Sequence, residues 1–272
     1  MVKGVTTAQI NNCEINYEIS GERGEFLTIL NGIMMSSDSW KDIKQDYVDA
    51  GYRVLTMDFR DQGRSSSATK PYSINQHAED LYELLNHLSI EKTHLMGISY
   101  GGQVAMIFAL KYQDRINKLL LFNTSARLTN YIKGIGEAWD EAARLGDGER
   151  FFKLAMPLIY SDEFYETHWE WLKNREKVFK EILTKEWFER YLRLSSSHGE
   201  YDILDEIHRI TTPTLVVAAD KDVVTPYSET EMIHRRIKGS VFTVIPNCGH
   251  ASCYEQTAAY NIQVLGYLSG IK

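Results

Sequence analysis

Lys92-Thr93-His94-Leu95-Met96-Gly97-Ile98-Ser99-Tyr100-Gly101-Gly102-Gln103 is the stretch that decides the fold. Its first half, Lys92 to Met96, reads as a short buried strand, and Gln103 to Leu110 beyond it read as a helix. Between them stands Ser99, with Gly97 and Gly101 two positions to either side, which is the nucleophile-elbow pattern. A serine in that setting occupies a strained turn that lifts its hydroxyl clear of the sheet edge. A side chain at either glycine would strike the neighbouring strand or helix. The helix opens at the serine, so its unpaired amides face any negative charge that develops there.

Outward from this junction, strand candidates alternate with amphipathic helix candidates. Cys13 to Ile19, Phe26 to Leu30, Arg53 to Phe59, Lys92 to Ser99, Lys118 to Phe122, Thr214 to Ala218 and Val241 to Ile245 read as strands. Ser73 to Leu88 reads as a helix with Ala78, Leu81, Leu84, Leu85 and Leu88 as its apolar stripe, and Ser73 with Gln76 is predicted to form a capping box. The alternation predicts an α/β protein with a mainly parallel sheet and helices on both faces. It breaks after Asn123. From about Arg127 to Ile207 the period stays helical, with Gly134, Gly136, Gly146, Gly148 and Pro157 read as breaks. That stretch is crowded with aromatics, among them Trp139, Phe151, Phe152, Tyr160, Phe179, Phe188 and Tyr191. A helical insertion between parallel strands sits above their carboxyl ends, so some of these rings are expected to line an apolar pocket over Ser99. The expected organisation is a core of residues 1–125 and 208–272, with a helical cap at 126–207.

Composition bounds the function. A chain of 272 residues with 43% hydrophobic and 25% charged residues is an ordinary globular composition with room for a sizeable core. The 30 basic and 37 acidic residues leave a formal charge of −7, which argues against nucleic-acid binding by bulk electrostatics. Met1-Val2-Lys3-Gly4 leads into polar residues rather than a signal-peptide core, and no apolar run approaches the length of a membrane span, so no membrane insertion is expected. Cys13, Cys248 and Cys253 lack zinc-site spacing and suit a reducing compartment, so a cytoplasmic location is expected.

A serine hydroxyl needs a base, and the base needs a carboxylate to orient it. In a sheet of this kind the acid follows a late strand and the histidine follows the last one. Strand Thr214 to Ala218 runs into Asp220 and Asp222. Asp222 is the expected acid, because the turn needs a few residues before a carboxylate can reach under an imidazole; Asp220 is expected to be solvated or lysine-paired. Strand Val241 to Ile245 runs into Gly249-His250, which makes His250 the expected base. Of the other histidines, His94 is expected to be packed within a strand, His77, His87 and His234 to be solvated on helices, and His198 to come within reach of the pocket. The backbone amides of Tyr100 and of Ile33, in the loop Asn31-Gly32-Ile33-Met34, are the expected oxyanion donors.

Together, Gly97-Ile98-Ser99-Tyr100-Gly101-Gly102, the segment Asp58-Phe59-Arg60-Asp61-Gln62-Gly63-Arg64-Ser65, Asp222 four residues before Pro226, and the loop ending in His250 resemble the α/β-hydrolase superfamily along essentially the whole chain. The resemblance is to its serine-nucleophile esterase and acyl-hydrolase branch. It implies an eight-stranded, mainly parallel sheet with an inserted helical cap, and a catalytic Ser99–His250–Asp222 triad acting through an acyl-enzyme without metal or organic cofactor. Asn31-Gly32 replaces the superfamily's common His-Gly, and Arg60-Asp61-Gln62-Gly63 its Arg-Gly-His-Gly; neither change removes a backbone donor. The expected activity is hydrolysis of a small or medium apolar carboxylic ester. Acyl transfer or thioester cleavage on carrier-bound chains, carbon–carbon bond hydrolysis and slow-turnover ligand sensing are the alternatives on the same frame.

Overall fold

The structure, a computed structural model, describes residues 6–270; the opening Met1-Val2-Lys3-Gly4 lies outside the described residues. The chain begins with a hairpin of β1 (Thr6–Ile10) and β2 (Cys13–Ser20), followed by β3 (Phe26–Leu30), α1 (Lys44–Asp49), β4 (Arg53–Met57) and α2 (Asn75–His87). Next come β5 (Thr93–Ile98), α3 (Tyr100–Tyr112) and β6 (Ile116–Phe122). Five helices then follow in succession: α4 (Asn130–Arg144), α5 (Gly148–Ile159), α6 (Asp162–Thr167), α7 (Trp169–Ile182) and α8 (Lys185–Ser196). The chain returns to the sheet with β7 (Thr214–Ala219), α9 (Tyr227–Arg236) and β8 (Val241–Ile245), and ends in α10 (Ser252–Glu255) and α11 (Thr257–Gly270).

The eight strands form one sheet in the order β1-β2-β4-β3-β5-β6-β7-β8. The β1–β2 and β2–β4 pairs are antiparallel and every other pair is parallel. The strand that pattern reading does not find is β1. Its turn residues Asn11 and Asn12 both take positive φ, 48° and 60°, as a two-residue hairpin turn of the primed type requires.

Alternation along the parallel strands sends side chains to two cores. Leu119 and Leu121 of β6 join Leu81, Leu84 and Leu85 of α2, Val104 and Phe108 of α3, and Ile233 of α9 on one face. Leu120 and Phe122 join Tyr47 of α1 and Tyr260, Val264 and Leu268 of α11 on the other. Both faces are therefore covered by helices, as a buried parallel sheet demands.

Two local expectations fail for identifiable reasons. Helix α2 starts at Asn75, and no capping box forms at Ser73. Gln76 Nε2 donates instead to Asp80, whose carboxylate is paired with Arg60, while the Ile74 amide is drawn to the Ser197 carbonyl at 2.8 Å. Gly134 and Gly136 do not break a helix but lie inside α4, where burial of Ile132, Ile135 and Trp139 offsets the roughly 1 kcal/mol that each helical glycine costs. Pro157 likewise falls within the last turn of α5. Thr129, Asp147, Ser161 and Thr184 do cap α4, α5, α6 and α8 through their side chains.

Helices α4–α8 build a third apolar cluster around Trp139, Phe151, Phe152, Phe164, Phe188 and Tyr191, and Val224 and Ala251 from the strand-end loops join it. This cluster roofs the carboxyl ends of β5, β7 and β8. Among the described residues, no helix is long and apolar enough to cross a membrane. The three cysteines are free and buried.

Candidate active site

Ser99 follows directly on β5 with φ +54° and ψ −122°, a conformation an L-residue adopts only when its surroundings impose it. Its amide donates to the Phe122 carbonyl at 2.9 Å, and its carbonyl accepts from Gly102 N at 2.9 Å and Thr124 Oγ1 at 2.8 Å. The flanking glycines are sterically required. A Cβ on Gly97 would lie 2.3 Å from the Gly101 carbonyl oxygen, and one on Gly101 would lie 2.3 Å from that of Leu30.

The loops after β7 and β8 deliver the other two residues. His250 Nε2 lies 2.8 Å from Ser99 Oγ, and His250 Nδ1 lies 2.8 Å from Asp222 Oδ2. With the serine hydroxyl donating to Nε2, the imidazole proton sits on Nδ1 and donates to the carboxylate. Asp222 is buried, and burial alone would raise its pKa. The charge and hydrogen bond of His250, the Asn123 amide and the Thr225 backbone amide outweigh burial and hold its carboxyl below the usual range. Its Oδ1 accepts from the amides of Val224 and Thr225 at 2.8 and 2.9 Å; Oδ2 also accepts from Asn123 Nδ2 at 2.9 Å and Thr225 Oγ1 at 2.8 Å. Asp220, the competing carboxylate, is exposed and accepts from Cys248 N at 3.3 Å, away from the imidazole.

The Asn31-Gly32-Ile33 loop lies against the serine: a Cβ on Gly32 would sit 3.7 Å from Ser99 Cβ. Asn31 is fully buried, donating to the Met57 carbonyl and Gln62 Oε1 and accepting from Trp40 Nε1 at 2.8 Å. Gln62 Nε2 in turn donates to the Gly32 carbonyl at 2.9 Å. In a trans peptide the N–H points opposite to the C=O, so this bond turns the Ile33 amide away from Gln62. Asp58 ties neighbouring loops together, accepting from the amides of Ser37 at 2.6 Å and Arg64 at 2.9 Å. Gly63, at φ +51°, gives it room; a Cβ there would overlap the carboxylate at 2.3 Å.

Two clefts meet at Ser99 and share Ile33 and Trp139. The first is lined mostly by apolar groups, including Met34, Met35, Met156, Tyr160 and Phe179, and also by His250 and Arg175. The second holds Tyr100, Gln103, Lys133, Asp140, Ser195 and His198 and is the more polar. Ser99, His250, Ile33 and Tyr100 thus converge on one place, with Asp222 behind the imidazole.

The histidines divide almost as expected. His94 is buried in β5, His87 is exposed, His234 is half-buried, and His198 lines the second cleft. Burial pushes His198 down to about 4, so it is neutral near pH 7. His77 departs from expectation: it is fully buried against Phe59, Tyr72 and Tyr100, because its face of α2 packs on the sheet, and burial holds its pKa well down.

Sequence reasoning missed Asn123, Thr225 and Glu255. Asn123, at the end of β6 with φ +44°, accepts from Ser252 Oγ through Oδ1 while its amide holds Asp222. Its only sequence signal is its position just after a strand. Glu255 accepts from the Gly249 and Ser161 amides, fastening the histidine loop to the start of α6. Among the described residues, no group of three or more histidines, cysteines or carboxylates is arranged to hold a metal ion.

Known proteins place this geometry in context. A 3-oxoadipate enol-lactonase 2 from Acinetobacter baylyi is 28% identical over 95% of this chain and 94% of its own. A putative carbamate hydrolase from Caulobacter sp. is 28% identical over 80% of this chain and 81% of its own. Among solved structures, an α/β-hydrolase enzyme from a Medee basin deep-sea metagenome library superposes with a TM-score of 0.94 at 33% identity, covering 98% of both chains. A thermophilic esterase from Thermogutta terrifontis superposes with a TM-score of 0.83 at 25% identity, over 98% of both chains. Residues 26–257 match the family described as the alpha/beta hydrolase fold, and the chain belongs to that family.

Proposed function

We propose that the protein is a serine hydrolase that cleaves a carboxylic ester, linear or cyclic, of a small or medium acyl substrate. The observation that carries this reading is the unbroken line Ser99 Oγ–His250 Nε2/Nδ1–Asp222 Oδ2, with both hydrogen bonds at 2.8 Å. His250 Nε2 takes the hydroxyl proton as Ser99 Oγ attacks the ester carbonyl carbon. The carbonyl π pair moves onto its oxygen, where the amides of Tyr100 and Ile33 stabilise it. The pair returns, the carbon–oxygen bond to the alcohol breaks, and His250 hands its proton to the departing oxygen. Water, deprotonated by the same imidazole, then attacks the acyl-enzyme, and Ser99 leaves with its proton restored. Asp222 stays ionised throughout and holds the ring orientation.

Helices α4–α8 act as the cap in this reading, with the largely apolar first cleft receiving the substrate's hydrocarbon part. Ester cleavage is in keeping with an enol-lactonase and an esterase among the similar proteins, which also include a putative carbamate hydrolase. The test is turnover of p-nitrophenyl esters by the wild type and by Ser99→Ala. Loss of at least about 1,000-fold in kcat/KM is expected for the variant. Equal turnover by the two proteins contradicts the assignment.

A further inference from the structure

Arg175 is the one permanently charged side chain among the described residues that line the first cleft. It projects from α7 into the cavity that also contains Ser99 and His250. Three aromatic rings surround its guanidinium, those of Trp171, Phe179 and Tyr254, with centroids 5.6, 5.7 and 5.7 Å from Cζ. The Tyr254 hydroxyl also accepts a hydrogen bond from the guanidinium, which leaves the rest of its N–H edge to other partners.

That edge lacks an anion. Among the described residues no carboxylate pairs with Arg175, and its Nε is buried without a hydrogen-bond partner. The neighbouring Glu176 does not serve it, being held by Lys153 and Lys173. A cation with no carboxylate partner and a buried, unpaired Nε–H therefore stands beside the proposed nucleophile. The group that best completes a planar guanidinium fork is a carboxylate bound through two parallel hydrogen bonds. We infer that Arg175 receives a carboxylate of the substrate, so that the ester or lactone opened by Ser99 carries an acid group at the end of a short hydrocarbon chain. The inference rests on the serine-hydrolase reading above and adds the substrate's charge to it. The apolar walls then hold the connecting methylenes, and Arg175 acts in binding, not in bond cleavage.

A size-matched pair of esters tests this: p-nitrophenyl hydrogen glutarate, which ends in a carboxylate, and p-nitrophenyl pentanoate, which ends in a methyl group. The readout is the ratio of their kcat/KM values within one preparation, which cancels any loss of folded protein. The wild type is expected to favour the glutarate ester. Arg175→Met is expected to lower the ratio by about 10- to 100-fold, chiefly through KM for the glutarate, and Arg175→Lys to recover part of it. A wild type that does not favour the glutarate, or a ratio unchanged in Arg175→Met, overturns the inference. If the pentanoate is still cleaved in a Ser99-dependent manner in that case, the hydrolase reading survives. If neither ester is cleaved faster than by Ser99→Ala, the hydrolase reading falls, and this inference falls with it.

Discussion

The loops that carry Ser99, Asp222 and His250 and the helical layer above them treat polar groups differently. In the loops, the Asp222 carboxylate accepts from two backbone amides, an asparagine, a threonine and an imidazole. Asn31 and Asp58 are satisfied just as thoroughly. In the helical layer, Trp139 Nε1, Asp140 Oδ1 and Arg175 Nε are buried without partners, and all three residues line the clefts. A saturated network is rigid and is suited to holding reacting groups in place. An unsaturated lining is incomplete until something binds. On the proposed function, the loops would carry the chemistry and the helices the choice of substrate.

Substitutions in the two regions are therefore expected to have different signatures. The largest effect is expected from His250→Ala, which removes the base; kcat should fall by about 10⁴- to 10⁶-fold with little change in melting temperature. A fall below 100-fold would detach the imidazole from catalysis. Asp222→Asn keeps the shape but allows the wrong imidazole tautomer, and kcat is expected to drop by about 10³- to 10⁴-fold. Thr225→Val removes one of several donors to that carboxylate, so about a tenfold loss in kcat is expected. Trp139→Ala, in the roof shared by both clefts, is expected to shift the acyl-length preference in KM by about tenfold while kcat for a short ester changes least. A uniform fall in kcat across the ester series would erase the proposed division.

Acid provides a further contrast. The folded-state pKa of Asp222 is depressed, so its contribution to stability is complete at neutral pH and is lost as pH falls through that depressed value, below the ordinary aspartate value of about 4. In urea unfolding, the stability gap between wild type and Asp222→Asn is expected to narrow on acidification. A gap as wide at pH 3 as at pH 7 would mean that the carboxylate is not held by the charge and hydrogen bonds around it.

The legibility of the sequence follows the same division. The convergence of Ser99, Asp222 and His250 is legible because strand-end geometry is written locally: glycines beside a strained serine, an acid after one strand, a histidine after the next. Strand β1 escaped because a short edge strand with a polar outer face carries little hydrophobic pattern. Gly134 and Gly136 misled because tertiary packing of Trp139 overrides local propensity. Asn123 and Arg175 were invisible for a different reason. What matters about each is a spatial neighbour far along the chain, Asp222 for one and the Ser99 cleft for the other, and no spacing in the sequence encodes it.

The central claim is that Ser99 carries the acyl group between two proton transfers by His250. Acid quenching of the enzyme within milliseconds of mixing with a p-nitrophenyl ester, followed by peptide mass spectrometry, tests it most directly. The account predicts a mass increase equal to the acyl group on the peptide containing Ser99, formed at the rate of the nitrophenol burst. Turnover with no such adduct under conditions that give a burst, or an adduct on a different residue, would contradict it.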